Sequence, residues 1–295
     1  MERVATMSAS ARPVAIAPWV RWAVLAAVAL GPVAIIVAWR AFALVRPAPQ
    51  LFQVFDTLVL LASLGVLLRG YRHLRTRDAW LALAVGALLG VLVPATGFYP
   101  LLAWTAPRAA DGLVALLHGT GVAIALLAGI VVVRRRGPVR LHAASGAWRA
   151  SLAGLGIGAA IGLPLAVVNA YANTLTQGRP FVWQGSVFPL LEALEPGLVE
   201  EIVYRFALLG IVGLLLRPSW GRRAGGLAGA VVLLVHTFAH NGDLLLSDPL
   251  MYLAFGSVLA VVWGVPLTIL VLRRDLESAA GFHWVQDAAR FLGGL

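Results

Sequence analysis

Apolar runs dominate this chain and leave few folds open to it. Stretches rich in hydrophobic residues occupy roughly 19–44, 51–69, 79–104, 112–133, 150–170, 182–216, 224–240, 249–272 and 278–293. A helix that spans a bilayer needs about 20 mostly apolar residues, and most of these runs approach or exceed that length. Only 12% of residues are charged, and the mean hydropathy is +0.88, whereas a soluble domain has roughly a quarter of its residues charged. The sequence therefore predicts an all-α, polytopic transmembrane helical bundle. Its 295 residues allow about eight spans with short loops, which leaves little room for a separate soluble domain.

The charges sit mainly at the ends of the runs. All 23 basic residues are Arg, and the formal net charge is +10. In a soluble chain that balance would suggest nucleic acid; here it reports topology, and no nucleic-acid partner is expected. Arg3, Arg12 and Arg21 precede the first run, Arg69, Arg72, Arg75 and Arg77 follow the second, and Arg134, Arg135, Arg136, Arg140 and Arg149 follow the fourth. Arg217, Arg222 and Arg223 follow the sixth, and Arg273 and Arg274 the eighth. If each run crosses once, all these gaps lie on one side. The opposite gaps hold only Arg40, Arg46, Arg108 and Arg179, with Asp111, Asp243 and Asp248. The positive-inside rule then places the N-terminus in the cytoplasm, and the Arg-only usage points to a bacterial cytoplasmic membrane. The first 18 residues lack the pattern of a secretory signal, so the run from about Val20 reads as a retained helix. Cysteine is absent, which excludes disulfides, thiolate metal sites and a cysteine nucleophile.

The chemistry gathers late in the chain. Residues 1–146 form an N-terminal group of about four helices with scattered polar residues: Asp56, Asp78, Asp111 and His118. Residues 147–295 carry the ionisable constellations. Pro196-Gly197 interrupts the sixth run. Proline suits the first turn of a helix, so a new helix is expected near Glu195, with about 181–193 as a short separate or re-entrant piece. Such backbone is tolerated at depth only against protein or a water-filled cavity.

Three fragments place ionisable groups inside membrane-type runs, where they are expensive and mark a functional interior. The first is Glu200-Glu201-x-x-x-Arg205. Glu201 and Arg205 are four apart and share a helix face, with the acid in the better N-terminal position. Glu200 lies about 100° round the helix and faces elsewhere. A desolvated carboxylate beside another negative charge holds its proton more firmly, which suits a general base near neutral pH. The bland alternative is an acidic cluster at a helix start, helped by the dipole.

The second fragment is His236-x-x-x-His240. This spacing lets both imidazoles converge on one point. Either one orients a water with Glu200, or both bind a metal such as zinc. Catalytic zinc usually takes three protein ligands, and no third stands out in the sequence. The third fragment is His283-x-x-x-Asp287. Its acid can fix the tautomer of a histidine that stabilises an oxyanion; alternatively it is an interfacial face anchored by Trp284.

Taken together, the three fragments resemble the CPBP family, the type II CAAX prenyl endopeptidases and Abi-like intramembrane proteases. That family carries Glu-Glu-x-x-x-Arg, then Phe-x-x-x-His, then His-x-x-x-Asn or Asp, each on its own membrane helix. The resemblance covers about 150–293, and marks 147–295 as a CPBP-like core. It implies an intramembrane endopeptidase, a hydrolase that acts on peptide or protein substrates at the bilayer and needs no metal. Glu200 and the second-motif histidine would activate water, and His283 with Asp287 would stabilise the oxyanion. The second motif departs from the pattern. If His240 is the catalytic histidine, His236 stands at the Phe position; if His236 is, Val232 does. His240 is preferred, and His236 stays open. On this topology His240 lies near the outer surface while His283 lies roughly 9 Å from the inner one, so a deep conical cavity or different helix limits must reconcile them.

Other chemistries find no motif: no Gly-x-Ser-x-Gly, no second aspartate to match Gly242-Asp243, and no phosphate-binding loop. Two rival readings remain, a metal-dependent protease using His236 and His240, and a non-catalytic scaffold or transporter whose buried charges line a path. The protease requires its groups to meet at one water-sized gap; a transporter would string them out.

Overall fold

The computed structural model describes residues 17–96, 100–106 and 110–294, so Arg3, Arg12 and Arg108 lie outside the described residues. Among those described there is no strand. Nine principal helices follow in order: α1 Pro18–Ala43, α2 Leu51–Gly70, α3 Thr76–Thr96, α4 Asp111–Arg134, α5 Trp148–Gln177, α6 over 194–220, α7 Ala224–Ala239, α8 Pro249–Arg273 and α9 Leu276–Leu292. The chain is an all-α, multi-pass membrane bundle.

Among the described residues six helices, α1 to α5 and α8, are long and apolar enough to cross a bilayer. The other runs behind the expectation of about eight spans form α6, α7 and α9. The run at 182–216 contains a short helix, Phe188–Glu192, and then α6, which starts at Leu194. Helix α6 carries Glu195, Glu200, Glu201, Arg205 and Arg217. Helices α7 and α9 have only 16 and 17 residues, about 24–26 Å of rise against a hydrocarbon core of about 30 Å. Among the six, α1 is the least buried, with 6% of its apolar window buried against 61% for α4.

One core runs through both halves of the chain, from Trp39 and Phe52 to Leu276 and Phe282. Helix α9 is seated by its first turn. Asp275 caps it by accepting from Ser278 N–H at 2.7 Å, Leu276 N–H donates to Arg140 O at 3.0 Å, and Glu277 accepts from Ala143 N–H and Ser151 Oγ–H, each at 3.0 Å. Along its length α9 lies against α5, where Gly154, Gly158 and Gly162 recur at four-residue spacing and face Asp275, Ser278 and Phe282. Small residues at this spacing let two helix backbones approach closely. A Cβ on Gly158 would collide with Ser278 O, and one on Gly281 with Leu155 O. Gly158→Val should therefore cost about 1–3 kcal/mol, read as a lower unfolding temperature in detergent. An unchanged melting temperature would mean the helices separate freely.

Candidate functional site

Helix α6 changes pitch where the chemistry begins. Residues Leu194–Glu200 are α-helical, Glu201–Leu208 form a π-helix, and Leu209–Trp220 return to α. Such π segments are rare and frequently occur at functional sites. The segment holds Glu201, Tyr204 and Arg205, all buried.

Glu201 and Arg205 form a completely buried pair, with Arg205 Nη1 donating to Glu201 Oε1 at 2.6 Å. The same oxygen accepts from His283 Nδ1 of α9 at 2.8 Å. Arg205 Nη2 lies 3.1 Å from His236 Nδ1 of α7. Guanidinium is a donor only, so this contact makes Nδ1 the acceptor and puts the ring hydrogen of His236 on Nε2. That hydrogen points at Glu200 Oε2, 2.7 Å away. His240 Nδ1 donates to His236 O at 2.7 Å, which turns Nε2 toward Glu200 Oε1 at 3.4 Å. His283 Nε2 lies 3.4 Å from Asp287 Oδ2 and 3.8 Å from Glu200 Oε2.

All seven residues singled out in the sequence, Glu200, Glu201, Arg205, His236, His240, His283 and Asp287, thus meet in one cluster. Several details differ from expectation. Glu200 is not an isolated carboxylate; it faces three imidazoles. The ring of His283 is held first by Glu201, with Asp287 at the other nitrogen, because α9 passes beside the π segment. The mismatch in depth does not arise, since His240 and His283 approach the same carboxylate. Residue counting placed the start of α9 at the surface, but Asp275, Leu276, Glu277 and Ser278 are buried within the bundle. Trp284 is half-buried and donates to Leu190 O at 2.9 Å, so it ties α9 to the stretch before α6.

The cluster opens on a cleft of about 470 Å³. Its walls come from α5 (Asn169, Asn173), α8 (Phe255, Val258, Trp263) and α9 (Gln286, Arg290). Trp263 lies in a second π-helical segment, Ala260–Gly264, and donates to Gln286 Oε1 at 3.3 Å. Gln286 in turn donates to Gly162 O at 2.7 Å. The neutral wall residues escaped the sequence reading because uncharged side chains in apolar helices carry no charge signal; Arg290 was readable as a basic residue within the last run. Asp56 and Tyr204 also border the cluster, bonded to one another at 2.7 Å across 148 residues. Asp56 is visible in the sequence as an acid within an apolar run, and no periodicity connects it to Tyr204.

Glu200, His236 and His240 each offer a ligand atom, all within 4.8 Å of one another, so the third ligand missing from the sequence reading would be Glu200. The donor arrangement opposes that use. A metal-bound histidine donates its other ring N–H outward, whereas His236 Nδ1 faces Arg205, which has nothing to accept with. Metal binding through Nε2 would require Arg205 to leave. Comparison with protein-family models, with curated proteins and with solved structures finds no match for this chain.

Proposed function

We propose that this protein is a membrane-embedded endopeptidase of the CPBP type, cleaving peptide bonds of membrane-associated substrates with a water activated by Glu200 and His240. The observation that carries the reading is the meeting of one carboxylate and three imidazoles, brought by three helices, at the floor of a cleft. A transport path would space such groups along the bilayer normal; here they crowd around Glu200. The arginine distribution supports an N-terminus in the cytoplasm, and the Arg-only usage supports a bacterial cytoplasmic membrane.

In this reading a substrate segment lies in the cleft with its scissile carbonyl between Glu200 and His283. A water beside Glu200 Oε1 and His240 Nε2 attacks the carbonyl carbon and gives its proton to the Glu200 carboxylate. His236 steadies Glu200 through its Nε2–H and takes no proton, because Arg205 occupies the other nitrogen. The carbonyl oxygen becomes an oxyanion and accepts from Nε2–H of His283, whose ring, set between the carboxylates of Glu201 and Asp287, acts as the imidazolium with a hydrogen on each nitrogen. Preorganised donors of this kind contribute about 3–4 kcal/mol of transition-state stabilisation. The C–N bond then breaks, and the proton on Glu200 passes to the leaving amine.

The test is cleavage of a fluorogenic peptide library by detergent-purified protein, with and without a strong chelator. Hydrolysis that survives chelation is the expected result. Loss on chelation would move the chemistry to a Glu200–His236–His240 metal centre, and no cleavage of any peptide would favour a scaffold or transporter.

A further inference from the structure

A second, smaller space touches the cluster from the other side. It offers about 20 Å³ to the centre of a water-sized sphere, enough for about one molecule. It shares only Glu200 and His240 with the cleft, and its remaining polar walls are Asp56, Glu195 and Tyr204. Three carboxyl groups therefore border a space of one water.

Of the two outer carboxyl groups only Asp56 has an oxygen hydrogen-bonded to a side chain among the described residues. Tyr204 O–H donates to Asp56 Oδ1 at 2.7 Å. Glu195 has His118 of α4 nearby without a hydrogen bond between them. Leu101 N–H donates to His118 Nδ1 at 3.0 Å, so the ring hydrogen sits on Nε2, 3.4 Å from Glu195 Oε1. Glu195 is 1% exposed, and its Oε2 is buried with no hydrogen-bond partner among the described residues. No Arg forms an ion pair with either acid among the described residues, in contrast to Asp78, which holds Arg134, and Glu201, which holds Arg205. Like charges crowded at a buried site favour retention of a proton between them, and a buried polar atom without a protein partner calls for a water.

We propose that Asp56 and Glu195, bridged by one water in this cavity, share a proton beside the Glu200–His240 pair and act as positioning residues for its chemistry. The water donates one hydrogen to the ionised carboxylate and accepts the O–H of the protonated one, so the pair carries a single negative charge. Glu200 then faces a half-neutralised neighbour and remains free to take a proton from the cleft. The N-terminal helices α2 and α4 thereby become part of the active centre. This inference rests on the proposed role of Glu200.

The test is infrared spectroscopy of the purified full chain in H2O and D2O near neutral pH. Wild type should show the C=O stretch of a protonated buried carboxyl group, shifted by deuterium. Glu195→Gln and Asp56→Asn should each remove or displace that same band, and Glu200→Gln should displace it without abolishing it. Absence of the band, or a band untouched by both outer variants, overturns the proposal. On an active wild type, Glu195→Gln should lower kcat roughly tenfold, by analogy with other outer-shell partners, move the pH profile and leave KM unchanged; Glu195→Asp should recover part of the loss. An unmoved pH profile overturns the positioning role. If wild type cleaves nothing, the peptidase reading fails, while the infrared bands still decide whether the proton is shared.

Discussion

Glu200→Gln is expected to lower peptide hydrolysis by about 10³-fold, within the range that a general base contributes, while the protein stays folded. The glutamine keeps the shape and one acceptor oxygen. That acceptor suffices for His236, because Arg205 fixes its ring as a donor from Nε2 toward Glu200. The variant loses only the capacity to take a proton from water. The deficit should therefore fall on kcat, with KM little changed, as for an interaction made only in the transition state. Steady-state rates paired with a melting curve make the check. A variant that melts like wild type and cleaves at the wild-type rate would remove Glu200 from the chemistry.

Arg205→Met should produce the largest loss of stability in the chain. Arg205 is 2% exposed and Glu201 is fully buried, so the substitution leaves a buried carboxylate without its cation. Breaking such a pair from one side costs about 3–5 kcal/mol, seen as a marked fall in unfolding temperature in detergent. Arg205→Lys should recover only part, because one ammonium cannot reproduce a planar fork that serves Glu201 and His236 together. The methionine variant also releases His236 Nδ1 to carry the ring hydrogen. Zinc should then stabilise Arg205→Met against heat but not the wild type. Equal stabilisation of both proteins would show that Arg205 does not oppose metal binding.

The seven clustered residues were legible because each fragment obeys a local rule: residues four apart share a helix face, and ionisable groups at depth are costly. That rule sees one helix at a time. It paired Glu201 with Arg205 and His283 with Asp287, but it could not place His283 Nδ1 on Glu201, 82 residues away. It noted Asp56 and His118 only as scattered polar residues, since the residues beside them, Tyr204 and Glu195, lie on α6. The glycine row of α5 was readable in principle at positions 154, 158 and 162; its meaning depends on which helix fills the groove. Among the described residues six helices have the length and apolarity of a span; α6, α7 and α9, which carry the cluster, are short or interrupted by ionisable residues and do not meet that measure.

The π segment of α6 has a consequence for alignment and for deletions. A π turn accommodates one residue more than the α turn it replaces, so everything after Leu208 is rotated by about 100° relative to an uninterrupted α-helix. Removing one residue between 201 and 208 would allow the segment to relax into regular helix. Leu194–Glu200 and Leu209–Trp220 would then both keep their register against the neighbouring helices, and the change would fall on the residues between them, Tyr204 and Arg205 among them. In this helix the widened turn absorbs one residue: the α segments on either side stay in phase with the core, while the turn itself carries Glu201 and Arg205 to the cluster.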